Sequence, residues 1–98
     1  MIFNREQKSR KLPRDFHGIE MCCWVDSKTK NRYPLMHLGQ SRFEELARES
    51  LTQKKPLLGK PLYCTVYRMA TYCSLAIYPA ADSRLEIELY YIPKSKRI

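Results

Sequence analysis

The stretch from Leu62 to Ile92 constrains this chain most. It reads LYCTVYRMATYCSLAIYPAADSRLEIELYYI, and both of its ends alternate. Leu62, Cys64 and Val66 fall on one side of an extended chain, with Tyr63, Thr65 and Tyr67 on the other. Leu85, Ile87, Leu89 and Tyr91 likewise oppose Glu86, Glu88 and Tyr90. Successive strand residues point to opposite faces, so a period of two marks a strand with one buried side. The spacing predicts three antiparallel strands, joined by a tight connection at Met69–Thr71 and a longer turn at PAADSR, with Pro93 ending the last.

Upstream, GIEMCCWVD from Gly18 to Asp26 reads as a strand with Ile19, Met21, Cys23 and Val25 toward the core. SKTKN is a polar turn, and RYPLMHL returns as a second strand. Pro34 has no amide hydrogen, which places that strand at an edge or at a bulge. A helix is expected over 41–52. Ser41 and Glu44 have capping-box spacing, and Phe43, Leu46, Ala47, Ser50 and Leu51 share one helical face. TQKKPLLGKP is then a loop, since Pro56 disfavours helical geometry before it. The order ββαβββ predicts an α+β fold: an antiparallel sheet of about five strands with one main amphipathic helix packed on one face.

Ninety-eight residues make one domain, and 44% hydrophobic content is that of a globular chain. The expected organisation is a loosely ordered basic arm over 1–17, which can dock through Phe3 and Phe16, a domain over 18–93 and a basic tail over 94–98. No apolar run reaches the roughly 20 residues of a membrane span, and no apolar core follows the basic N-terminus as in a secretory signal. A cytoplasmic protein without a membrane partner is expected. Cys22 and Cys23 are adjacent, so in a strand they face opposite ways, and Cys64 and Cys73 form no Cys-x-x-Cys pair. Reduced, buried cysteines with no metal, cofactor or disulfide are expected.

The net charge of +8 concentrates at the ends. Arg5, Lys8, Arg10, Lys11 and Arg14 leave the first fifteen residues at +3, and Lys94, Lys96 and Arg97 add +3 at the other end. Lys28, Lys30 and Arg32 make a basic hairpin tip, and Lys54, Lys55 and Lys60 lie in the loop. These are the expected contacts to phosphate or to an acidic partner.

With the leucines and isoleucines inward, Tyr63, Tyr67, Tyr72, Tyr78 and Tyr90 are expected on an open sheet face. With Trp24, they are the candidate partner-binding anchors. Glu86 and Glu88 on the same face weigh toward a protein partner. His17 and His37 are the only histidines, and neither sits in a catalytic pattern; three glycines provide no phosphate loop. These features point to a small non-enzymatic binding protein that occupies a surface of a larger protein or nucleoprotein assembly, as an inhibitor or adaptor of the phage or mobile-element kind. The first alternative is a single-stranded RNA- or DNA-binding protein using the tails and tyrosines. The second is a small basic ribonuclease-type toxin. A homodimer formed through the tyrosine face belongs with the protein-binding reading.

Overall fold

The computed structural model describes residues 1–51 and 58–94. Lys54, Lys55, Lys96, Arg97 and the expected helix end at 52 lie outside them. The elements run β1 (Ile2–Phe3), β2 (Ser9–Lys11), β3 (Phe16–Val25), β4 (Arg32–Pro34), β5 (Met36–His37), α1 (Gln40–Leu51), β6 (Leu58–Gly59), β7 (Tyr63–Arg68), β8 (Cys73–Tyr78), β9 (Ala80–Ala81) and β10 (Leu85–Pro93). No helix among the described residues is long and apolar enough to cross a membrane.

One helix and mostly antiparallel strands give an α+β arrangement, but the strands do not form one five-stranded sheet. Sheet A has the order β1-β10-β3-β4 and sheet B the order β2-β8-β7-β5; β6 and β9 make a small parallel pair. The apolar core lies between the two sheets. Phe3, Phe16, Cys22, Leu85 and Ile87 enter it from sheet A, while Cys64, Leu75 and Ile77 enter from sheet B. A sheet with one apolar face has to cover it with another element. Here the expected five strands divide between two sheets, and each covers the other.

The division happens at Pro34. RYPLMHL was expected as one strand, yet Arg32–Pro34 pairs with β3 in sheet A while Met36–His37 pairs in parallel with β7 in sheet B. Pro34 ends the first ladder because it cannot donate. Leu35 then turns inward and is buried; its amide donates to the Cys22 carbonyl at 2.8 Å. The proline thus stands at an edge, as its missing donor requires. At the opposite edges, β1 of sheet A leads within six residues to β2 of sheet B. The segment 1–17, expected as a loose arm or one docked through Phe3 and Phe16, carries both of these strands and buries both phenylalanines. Each outer strand of sheet A therefore continues in sequence into an outer strand of sheet B, which leaves little unpaired edge.

Side-chain orientation departs from the sequence pattern in two places. In β3, Tyr90 pairs with Met21 and Tyr91 with Ile19, so Glu20 is the extra residue of a β-bulge. A bulge inverts the alternation beyond it. Ile19 packs on the core as expected, but from there Cys22 and Trp24 face inward while Met21 stands 47% exposed. Leu62, expected inward, is also exposed because it precedes the first paired residue of β7 and lies past the end of the core.

The helix covers the face opposite to the one expected. Tyr63, Thr65 and Tyr67 of β7 alternate with Cys64 and Val66, which belong to the core side. Phe43 of α1 meets Tyr67 and Tyr78 edge-on, with ring centroids 6.3 Å away in each case. The Thr65 hydroxyl donates to the Leu38 carbonyl at 2.7 Å and the Gln40 side-chain amide to the Val66 carbonyl at 2.9 Å, tying the helix start to β7. The helix begins at Gln40, and the Phe43 amide donates to the Gly39 carbonyl. Ser41 is consequently inside the first turn, not at the cap; burial and the nearby Glu44 carboxylate raise the Tyr67 phenol above its ordinary range.

The bulge has a mutational signature. Ile87→Ala should lose about 2–5 kcal/mol of stability as a core truncation, whereas Met21→Ala should move it by less than about 0.5 kcal/mol as an exposed site. Denaturant unfolding of the two variants checks this; equal losses would place Met21 back in the core.

Candidate functional site

The bulge at Glu20 also decides where Trp24 goes. Inverted into the inner face, Trp24 lies opposite Ile87 on β10 and opposite Tyr33 on β4. Its ring stacks on Tyr33 with centroids 4.5 Å apart and planes inclined by 21°. Beyond this pair the hairpin closes in a turn held by Asp26, whose Oδ1 accepts the Lys28 amide at 2.8 Å and the Thr29 amide at 3.2 Å. Lys30 takes a left-handed φ of 63°, and its amide donates to the Asp26 carbonyl. Those bonds hold the turn that carries Lys28 and Lys30.

Facing that turn is the β9–β10 connection. Lys60 Nζ donates to Asp82 Oδ1 at 3.1 Å and to Ser83 Oγ at 3.4 Å, and lies 5.5 Å from the Trp24 ring centroid. Arg84 follows. The two connections enclose a cleft of about 630 Å³ whose wall includes Trp24, Lys28, Lys30, Lys60 and Arg84. Asp26 and Glu86 also line it.

Carboxylates in and beside it are held ionised. Backbone hydrogen bonds from Lys28 and Thr29 hold the Asp26 carboxyl below its ordinary range, and the bond from Lys60 does the same for Asp82. Among the described residues, Lys28, Lys30 and Arg84 have no carboxylate within ion-pair distance. At the cleft margin, the Arg10 guanidinium donates to the carbonyl of Ile2, a lining residue, at 2.9 Å. The cleft therefore gathers cations beside an aromatic pair.

The remaining expected site residues disperse. Tyr63, Tyr67 and Tyr78 are half-buried on the helix-covered face, so they do not form the open platform that the alternation suggested. Tyr72 is exposed, with Lys11 Nζ 4.6 Å from its ring centroid, and Lys11 sits on β2, an outer strand of sheet B. Tyr90 belongs to the other sheet, on the outer face of β10 beside Met21. Arg32 is on that outer face too, where its Nε pairs with Glu88 Oε2 at 2.6 Å. Arg5 pairs with Glu6, while Lys8, Arg14 and Lys94 are exposed.

Tyr33 and Arg84 were not among the expected site residues. Tyr33 was legible in principle, because a hairpin turning at SKTKN sets residues 24 and 33 opposite each other. Arg84 carries no such local signal.

Cys22, Cys23 and Cys64 are buried and Cys73 is half-buried, all as free thiols. The neighbouring Cys64 thiol and burial push the Cys22 thiol up, so it stays protonated at neutral pH. Among the described residues no three or more His, Cys, Asp or Glu side chains gather as a metal site would require. Comparison with protein-family models, curated proteins and solved structures finds no match to this chain.

Two outcomes follow from these placements. Tyr67→Ala removes an edge-on contact with Phe43, worth about 0.5–1.5 kcal/mol beyond the area it buries, so it should destabilise clearly more than Tyr90→Ala. Thermal melting ranks the pair, and equal small losses would mean that the tyrosine face is open after all. The second concerns Glu88, whose carboxyl the Arg32 hydrogen bond holds below its ordinary 4.5. A lowered folded pKa gives stability that is present above about pH 4.5 and fades as pH falls through the folded value. An NMR titration should find the Glu88 midpoint below 4.5 and returning toward it in Arg32→Gln. An unchanged midpoint in the variant would remove the ion pair from the account.

Proposed function

We propose that this chain is a small non-enzymatic binding protein that works by occupying an anionic surface of a larger nucleoprotein assembly. The observation that carries the reading is the cleft, where Lys28, Lys30, Lys60 and Arg84 meet around Trp24. Lys60 is paired with Asp82, and the wall also carries Asp26 and Glu86. Lys28, Lys30 and Arg84, however, have no carboxylate at ion-pair distance among the described residues, so their charges are open to a polyanion. Phosphates drawn to them also release condensed counterions. Arg10 extends the positive margin, and the basic segments at 5–14 and 94–97 would add steering at longer range.

A second reading, docking on a protein surface, has its own support. Met21, Tyr90 and Ile92 stand 47%, 45% and 45% exposed on the outer face of sheet A. They flank the Arg32–Glu88 pair, an apolar patch with a charged neighbour of the kind that protein contacts use. A partner offering both nucleic acid and protein would engage the two surfaces from different sides.

The test is binding to heparin and to RNA and DNA oligomers at graded salt. Affinity should fall steeply with ionic strength. Changing Lys28, Lys30 and Arg84 to Gln should flatten the dependence by about one log unit per log salt for each phosphate that is no longer neutralised. Circular dichroism should show the triple variant folded, since all three side chains are exposed. Affinity that ignores both salt and the substitutions would remove the cleft as the binding site and leave the sheet A face in its place.

A further inference from the structure

We infer that the Trp24–Tyr33 pair is a nucleobase subsite, so that the cleft takes single-stranded nucleic acid in preference to a duplex or a base-free phosphate chain. The inference rests on the polyanion reading of the cleft and adds the ligand's class to it. A duplex buries its base faces in its own stack and offers a protein phosphates and groove edges. An unpaired base offers a flat π-face, and any aromatic ring of the right exposure can receive it regardless of sequence.

The geometry supplies what such a contact needs. Tyr33 is 40% exposed although one side of its ring is stacked 4.5 Å from Trp24, so open ring surface remains to extend the stack. The pair is cross-strand, fixed by the β3–β4 register at Trp24↔Tyr33, and therefore held in place before any ligand arrives. Lys28 and Lys30 stand on the turn of the same hairpin, Arg84 on the facing β9–β10 connection, and Lys60 just after β6. Trp24 shares the cleft wall with these cations, and Tyr33 stacks on it from just outside the lining, so a base received at the pair sits at the edge of the cationic cleft.

Lys60 sets the exchange. Its ammonium now divides between Asp82 at 3.1 Å and the Trp24 ring at 5.5 Å. A phosphate within reach would replace an exposed carboxylate, a surface pair of small net worth, so recruiting Lys60 costs little. The volume of about 630 Å³ lies within the range of roughly 300–1,000 Å³ usual for small-ligand sites, enough for a nucleotide at a time. Cross-strand aromatic pairs also stabilise hairpins without any ligand. The test must therefore read something that packing alone does not move.

Trp24 is the only tryptophan, so intrinsic fluorescence reports on this site alone. The full chain would be titrated at low salt with a short oligothymidylate, the same oligomer carrying abasic sugars, a duplex of equal length and polyglutamate. Oligothymidylate should quench Trp24 and bind about tenfold or more tighter than the abasic oligomer, the scale of one stacked base. Tyr33→Leu should bring it down to the abasic affinity, and Tyr33→Phe should restore the difference. The Phe variant keeps the inference testable if Tyr33→Leu fails to fold. Equal binding of the thymidylate and abasic oligomers, or of the duplex, without quenching would overturn the subsite while leaving the polyanion cleft standing. Polyglutamate binding as well as the oligomers do would overturn it in favour of an acidic protein partner. No binding to any of the four would remove the cleft reading and the subsite with it.

Discussion

The structure depends on one buried apolar layer between two small sheets. Ile87 and Cys22 of sheet A and Cys64, Leu75 and Ile77 of sheet B lie at its centre, almost wholly removed from water. At about 25 cal/mol per Å² of apolar surface, this burial is the main term able to offset the chain entropy of so short a chain. Neither sheet is wide enough to shield its own apolar face. The need to cover both explains why strands adjacent in sequence divide between sheets, and why the N-terminal segment is used to widen each.

Closing the layer at its sides falls to short segments with special backbone chemistry. Pro34 ends one ladder and Leu35 starts the crossing to the next, while β1 and β2 cross at the other side. The exposed outer strand β2 carries Arg10 and Lys11, residues that discourage pairing with another chain. Part of the positive charge at the N-terminus thus has a structural use as well as an electrostatic one. The cations at the cleft have no such second role, because Lys28, Lys30 and Arg84 sit in connections instead of on an unpaired strand.

Much of the fold was legible in local pattern, and what was not has definite causes. The alternation in β7 and β10 located those strands, and the helix was expected to start one residue after Gln40, where it begins. Alternation fixes which residues share a face, but it cannot say which of two elements will cover that face. Tyr63, Tyr67 and Tyr78 were expected in solvent for that reason, although α1 lies over them. The bulge at Glu20 leaves no mark in composition, yet it moves Met21 out and Trp24 in. The cleft was the least legible part. Trp24, Lys28 and Lys30 were visible on the hairpin, but Lys60 and Arg84 reach them only through tertiary packing.

The central proposal is that the cleft beside Trp24, ahead of the outer face of sheet A, is the surface that receives nucleic acid. The most direct measurement is an NMR map of backbone and side-chain shifts on adding a short single-stranded oligonucleotide. The account expects the largest changes at the Trp24 indole, Tyr33, Lys28, Lys30, Lys60 and Arg84, with Met21, Tyr90 and Ile92 unmoved. Changes centred on Met21, Tyr90 and Ile92, or spread evenly over every exposed lysine and arginine, would contradict it.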